Sequence, residues 1–281
     1  MAVVAFWSED KKETGQTLSI VALSTYMAIE HNYRILDIST EFDDKTLENC
    51  YWDLAQEGAV VKDLMGQSAS AVGFESGVEG LIKLIRSNRT SGVAMSNYTK
   101  VVYNDRLDIL RGPRTTQYSE YLNIASIYPE IINIARNSYD LVFVDISKKM
   151  KQEDVNKILE ISDVIVVNIT QKLPVINKFI KLKEQNRFFQ NNNILINIGR
   201  CDTYSKYNIK NIARYLKMKR GVTCIPYNTL FFESCAEGRM GEFFWKYRNL
   251  DPDDRNYIFI NHISNMSKDL IYKIQELQMR T

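Results

Sequence analysis

The chain has 281 residues, 45% of them hydrophobic with only 5 Pro and 12 Gly, which excludes a disordered or collagen-like polypeptide and leaves room for one large α/β domain or two modest ones. Lys+Arg 36 nearly balance Asp+Glu 34, so a net charge of +2 creates no global field for nucleic acid, while a local basic face stays open. Four cysteines without a CxxC pair argue against a disulfide-stapled scaffold, no hydrophobic leader is evident, and the longest apolar runs fall far below the roughly 20 residues that cross a bilayer; a cytoplasmic address is expected.

Ala2 to Trp7 is a continuous apolar run, the pattern of a strand buried on both faces. Thr17 to Glu30 then spaces Ile20, Leu23 and Met27 at helical intervals. Arg34 to Ile38 reads as a second short strand, and Gly77 to Arg86 as a helix with Val78, Leu81, Ile82 and Ile85 inward. Arg106 to Leu110 reads as a strand closed by Gly112-Pro113, and one helix is expected across Tyr118 to Arg136. Tyr139 to Asp145 is the clearest central strand, apolar from Leu141 to Val144 with a carboxylate at its C-terminal end. A strand at Val164 to Val167, a helix near Pro174 to Lys183, and a strand at Ile194 to Asn197 follow, the last entered from the polar triplet Asn191 to Asn193. A helix near Asn208 to Lys217 and a strand at Val222 to Ile225 come next, with helices over the remainder and Asp253 or Asp254 as a cap for the last.

Strand and helix alternating at this rhythm predict a mostly parallel twisted sheet flanked by helices on both faces, a three-layer sandwich. Neither a repeat nor a Pro/Gly/Ser-rich linker divides the chain, so 1–281 is expected to be a single domain with a helical C-terminal segment at about 232–281. Ligands of such sheets bind beyond the carboxyl ends of the strands, which directs attention to the loops after Trp7, Ile38, Asp145, Asn197 and Ile225.

The first of these loops carries the chemistry. A phosphate-binding loop between a first strand and a first helix reads GxxxxGK[ST]: backbone N–H groups cradle phosphates, the lysine meets the outer ones, and the hydroxyl holds magnesium. Between Trp7 and Thr17 the chain keeps Gly15 and Thr17 in the right relation to the helix, but Gln16 takes the lysine's place. Thr is also an ordinary helix-start residue, so these positions alone are weak evidence.

With its neighbours, the loop resembles that of the MinD/ParA family of P-loop ATPases, whose deviant sequence is K-G-G-x-G-K-[ST]; here it is Lys11-Lys12-Glu13-Thr14-Gly15-Gln16-Thr17. Lys11 matches the signature lysine that in active members reaches a partner's nucleotide across a dimer, while Lys12 and Glu13 replace the paired glycines. Asp37-Ile38-Ser39 keeps the first carboxylate of the family's D-x-D and loses the second, and Val142 to Asp145 matches the hydrophobic strand that ends in Asp. Ile196-Asn197 matches the strand-end asparagine that contacts adenine, and Ile225-Pro226-Tyr227-Asn228 resembles the late I-P-x-[DN] loop. The likeness spans nearly the whole chain in the right order. Within the family it is most similar to the TadZ/CpaE-like relatives that position pilus or secretion apparatus.

The resemblance implies a P-loop NTPase, Rossmann-like fold and a site for ATP or ADP with Mg2+. Lys12, Thr14, Gly15, Gln16, Thr17 and Leu18 would line the phosphates, Asn197 and Pro226 the base, and Thr17 and Asp145 the magnesium; Lys11, Asp37 and Asp145 would be catalytic. It also implies a homodimer, a protein partner in a localisation or secretion machinery, and a cytoplasmic location that extends to the inner membrane face or cell pole. Each residue has a plainer alternative: Asp145 as a helix cap, Asp37 as a structural carboxyl, Asn197 as a residue that ties down its loop.

The substitutions weaken that chemistry. Gln16 removes a charge beside the phosphates while keeping an amide donor, Glu13 adds a negative one, and Ser39 removes a water-orienting group for which Glu41 or Asp43 is a substitute from the following loop. The expectation is a spatial regulator that binds ATP or ADP with weak or absent hydrolysis, or alternatively a nucleotide-independent pseudo-ATPase scaffold. Lys148, Lys149 and Lys151, with Lys217, Lys219 and Arg220, offer basic clusters for acidic protein, DNA or a membrane surface; solvated helix ends are the simpler explanation. The amphipathic stretch Leu270 to Leu277 is expected to pack on the core in preference to anchoring at a membrane.

Overall fold

The computed structural model describes residues 1–10, 14–52, 77–87, 95–191 and 193–279. Lys11, Lys12 and Glu13 therefore lie outside the described residues, and with them the expected trans-acting lysine and one phosphate contact.

In chain order the strands are β1 (Ala2–Trp7), β2 (Ile35–Ser39), β3 (Lys100–Tyr103), β4 (Leu107–Leu110), β5 (Leu141–Asp145), β6 (Val164–Ile169), β7 (Ile194–Cys201) and β8 (Val222–Pro226). They form one sheet in the order β3-β4-β2-β5-β1-β6-β7-β8, parallel throughout except for the antiparallel edge pair β3–β4. The described helices are α1 (Gln16–Glu30), α2 (Thr46–Asn49), α3 (Val78–Arg86), α4 (Tyr118–Ala125), α5 (Tyr128–Ala135), α6 (Gln152–Ile161), α7 (Leu173–Gln185), α8 (Ile209–Tyr215), α9 (Thr229–Ala236), α10 (Met240–Tyr247) and α11 (Tyr257–Gln278).

The central strands are apolar on both faces because helices cover both. Val3, Leu36, Val142, Val144 and Ile196 face the layer built by α3 to α8, where Tyr121, Ile131, Ile158 and Phe179 close the core. Val4, Phe6, Ile35 and Phe143 face the other layer, where α1, α10 and α11 supply Leu23, Met27, Phe244 and Ile263. Leu270 and Ile274 of α11 are buried in this second core, so the amphipathic C-terminal stretch spends its apolar face inside the fold. No helix among the described residues is long and apolar enough to cross a membrane.

Four local expectations are corrected. The single helix across Tyr118 to Arg136 is two helices, because Pro129 at the start of α5 lacks an N–H and disfavours helical backbone before it. Strand β7 runs past Asn197 to Cys201, since Ile198 and Gly199 continue to pair with Cys224 and Ile225 of β8 before a register shift. An edge strand, β3, adds to the expected strands; Lys100–Tyr103 is short and half exposed and lacks a buried strand's apolar run. The last helix starts after Asn256, and Asp254 instead accepts the Asn256 N–H at 2.7 Å, bracing the turn before it.

Strand β1 lies between β5 and β6, where the connections diverge: α1 leads from it to β2 on one side, while β6 leads on to β7 on the other. A crevice at the carboxyl ends of strands at such a divergence is where ligands of open α/β sheets bind.

Candidate functional site

The loop after β1 is closed by its own ends. Ser8 Oγ lies 3.2 Å from Thr14 Oγ1, and Lys178 of α7 pairs with Glu9 at 2.9 Å at the loop's start. Gly15 precedes α1 at φ 65°, a left-handed conformation that a side chain makes costly. Gly15 brings no side-chain cap to α1, whose first-turn N–H groups have no intrahelical partner. The loop's exit is pressed onto β7: a Cβ at Gly199 would sit 2.0 Å from the Thr14 carbonyl oxygen.

At that helix start, three expected residues come together. Thr17 Oγ1 donates to Asp145 Oδ2 at 2.7 Å, and Gln16 Nε2 donates to Asp145 Oδ1 at 2.7 Å and to the Ile146 carbonyl at 3.0 Å. The parallel register Phe6↔Asp145 puts the end of β5 beside the end of β1, which makes the contact possible. Burial raises the Asp145 carboxyl above its ordinary range, while the hydrogen bonds from Thr17 and Gln16 and the charge of Lys148 work to keep it ionised.

Two further residues stand beside this group: Lys148, which the sequence did not place in the site, and Glu41, one of the two expected substitutes for the carboxylate missing at Ser39. Lys148 turns back over the first loop: its Nζ donates to the Ser8 carbonyl and hydroxyl and to Gln16 Oε1 at 3.1 Å, and lies 5.6 Å from the Trp7 ring centroid. Burial lowers its pKa to about 8 against the pull of Asp145, Glu41, Glu9 and Asp10. Glu41 reaches in from the loop after β2, accepting from Ser147 Oγ at 2.8 Å, and burial near Asp145 raises its carboxyl to about 7. Thr40 ties the two loops, donating to the Asp145 carbonyl and accepting the Ser147 N–H, each at 2.8 Å. The hydroxyls of Tyr121 and Tyr128 hold the carbonyls of Thr40 and Ser39 from below, each at 2.9 Å.

The structure divides the basic cluster Lys148, Lys149 and Lys151. Lys149 is exposed and donates to the Phe42 carbonyl at 3.0 Å, and Lys151 is exposed at the head of α6. The signal available in the sequence was the pairing of a loop without its lysine and a lysine three residues beyond a strand-end carboxylate.

Asp37 stands apart from the Asp145 group. It lies opposite Phe143, two pairs below the Ser39↔Asp145 pair, with Oδ2 accepting from Ser24 Oγ of α1 at 2.6 Å and Oδ1 without a hydrogen-bond partner. Complete burial pushes its pKa well up, so this carboxyl is held beneath α1 and does not open on the crevice. Asn197 is likewise interior. Its Nδ2 donates to Ser19 Oγ and to Asn168 Oδ1, both at 2.9 Å, because β7 extends beyond it and leaves it in mid-strand.

On the β8 side of α1, Gly15, Leu18 and Pro226 do meet, together with Arg200, Tyr227 and Phe232. The cavity they enclose is only about 20 Å³, room for about one water. Arg200, at φ 53°, closes it by lying over the Tyr227 ring at 5.6 Å from the centroid.

The donor set fits a nucleotide's phosphates and Mg2+: a hydroxyl and a carboxylate supply hard oxygens for the cation, while an ammonium and a helix N-terminus supply charge and N–H groups for the anion. The base end does not fit as it stands, since a cavity of about 20 Å³ admits no ring.

No family model matches the sequence, and no curated protein matches it. Solved structures do match the fold. A ParA family ATPase from Chlorobium tepidum superposes with a TM-score of 0.64 at 18% identity, covering 95% of this chain and 97% of that one. The cell division ATPase MinD of Pyrococcus furiosus gives 0.64 at 12%, covering 97% and 99%. A putative plasmid partition protein of Borrelia burgdorferi, bound to AMPPNP, gives 0.59 at 15%, covering 99% and 98%. The sheet order, the helices on both faces and near-complete coverage of both partners in each comparison give this chain the α/β fold of the ParA- and MinD-type P-loop ATPases.

Proposed function

We propose that the chain is a ParA/MinD-like spatial regulator that binds ATP or ADP with Mg2+ at the first loop and hydrolyses ATP weakly or not at all. The observation that carries this is the Thr17 Oγ1–Asp145 Oδ2 contact of 2.7 Å at the start of α1. It preserves the family's magnesium pair although the lysine between Gly15 and Thr17 is lost.

In this reading Thr17 and Asp145 hold the cation, the α1 N-terminus and Gln16 take the phosphates, and Leu18 and Pro226 flank the base. Bound Mg2+ supplies charge neutralisation on the phosphate oxygens. Gln16 releases Asp145 and turns its amide toward the anion, and Arg200 leaves Tyr227 to admit the base. Slow hydrolysis follows from Ser39: it stands opposite Asp145 without a carboxylate, and Glu41 in the next loop holds its proton to about pH 7. A group that is half protonated at neutral pH and already hydrogen-bonded to Ser147 is a poor orienter of water. The chain acts as a single domain, dimerises through the crevice face with Lys11 reaching the partner, and recruits a protein partner in a localisation machinery in the cytoplasm.

A pseudo-ATPase scaffold is the second reading. It draws support from an Asp145 with both oxygens satisfied by protein and a base cavity of about 20 Å³. Isothermal titration with ATP and ADP, with and without Mg2+, separates the two. The first reading predicts Mg2+-enhanced binding that Thr17→Ala weakens at least tenfold; the scaffold predicts no heat and no dependence on Thr17.

A further inference from the structure

We propose that Lys148 is the phosphate-binding cation of this site, supplying from the loop after β5 the charge that position 16 no longer carries; the inference rests on the nucleotide-site reading above.

The placement follows from the sheet. Because Phe6 and Asp145 are register partners on adjacent parallel strands, the loops that leave them run side by side, roughly 4.8 Å apart at the strand ends. A side chain three residues beyond Asp145 therefore has the reach to cross the first loop. Lys148 does so: its Nζ touches Ser8, the first residue of that loop, and Gln16, the residue that stands at the lysine position.

The environment is also unlike that of a solvated lysine. Lys148 is half buried beside Trp7, and its acceptors on Ser8 and Gln16 are neutral oxygens. Among the described residues no carboxylate bonds the ammonium directly, and removing such a group from water is costly; Lys149, next in sequence, stays at the surface. An incoming phosphate would replace these neutral acceptors with a charge-assisted bond, which is the stronger kind. Gln16 couples the exchange, since its amide now bridges the ammonium through Oε1 and Asp145 through Nε2. When the phosphate takes Lys148, the amide oxygen of Gln16 loses that partner.

The test compares wild type, Lys148→Met, Lys148→Arg and the double variant Gln16→Lys/Lys148→Met by titration with Mg-ATP and with Mg-tripolyphosphate. Methionine keeps an unbranched stem against Trp7 and removes the ammonium with its charge and its bonds to Ser8 and Gln16. Lys148→Met is expected to weaken both ligands by about tenfold or more, the scale of one charge-assisted bond, with Lys148→Arg retaining most of the affinity and the double variant regaining it. A measurement on the unmodified sequence stands beside these: amine acylation read by mass spectrometry, in which ATP should slow labelling of Lys148 at least fivefold relative to exposed Lys219.

If ATP binds wild type and Lys148→Met equally and labelling is unchanged, the inference is overturned while the nucleotide site survives. Tripolyphosphate binding that depends on Lys148, with no preference for ATP, would instead sustain the lysine and defeat the nucleotide reading. Absence of binding by either ligand overturns both.

Discussion

Replacing Glu41 by Gln should stabilise the protein, increasingly as pH rises from about 4.5 to about 7. Glu41 accepts from Ser147 Oγ, and burial raises its carboxyl from an ordinary 4.5 to about 7. The folded state therefore holds a proton that the unfolded chain has already released between those two pH values. Below about 4.5 both states are protonated and the residue costs nothing. Across the window from 4.5 to about 7 the penalty grows, and above 7 it is complete. At about 1.4 kcal/mol per pH unit the full shift corresponds to roughly 3 kcal/mol, which partial exposure reduces to about 2. Glutamine keeps an acceptor for Ser147 and removes the charge. Urea unfolding at pH 8 should show the variant more stable by about 2 kcal/mol, with the difference vanishing at pH 4.5. A difference that is independent of pH, or a variant less stable at pH 8, would refute the burial argument.

Three further outcomes follow from packing and hydrogen bonding. Gly199→Ala places a Cβ 2.0 Å from the Thr14 carbonyl, so backbone must shift; a loss of about 1–3 kcal/mol is expected in urea unfolding, with weaker ATP binding because the loop moves, and an unchanged midpoint would contradict the contact. Asn197→Ala strands Asn168 Oδ1 and Ser19 Oγ in the interior and should cost about 1–3 kcal/mol of stability. Its effect on ATP affinity should stay under threefold; lost affinity with intact stability would restore the adenine contact. Arg200→Ala opens the cavity beside Pro226 and should tighten ATP while leaving tripolyphosphate unchanged, so equal changes for both ligands would show that Arg200 does not gate the base.

The sheet was legible because its strands are buried on both faces: runs such as Ala2 to Trp7 and Leu141 to Val144 have no other use in a chain of alternating helices. Gly15, Thr17 and Asp145 were legible as a site because their order fixes them at the ends of two adjacent strands. What the sequence hid depends on side-chain direction and strand length. Lys148 and Lys149 are neighbours in a basic run, yet one folds across the first loop and the other stays in solvent, a choice made by the register of β1 and β5. At Asn197 the apolar run pauses, which reads as a strand end; pairing with β8 carries β7 four residues further, and Asn197 is buried between β6 and β8. Asp37 points under α1 because two residues of strand separate it from the position opposite Asp145.

The claim that the Thr17–Asp145 pair still serves a magnesium nucleotide is tested most directly by chemical unfolding with and without Mg-ATP. A ligand that binds only the folded state adds about 2.7 kcal/mol at a hundred times its dissociation constant. The account predicts such a saturable gain for wild type, and its loss in Thr17→Ala. An unfolding midpoint that does not move at millimolar Mg-ATP would contradict it.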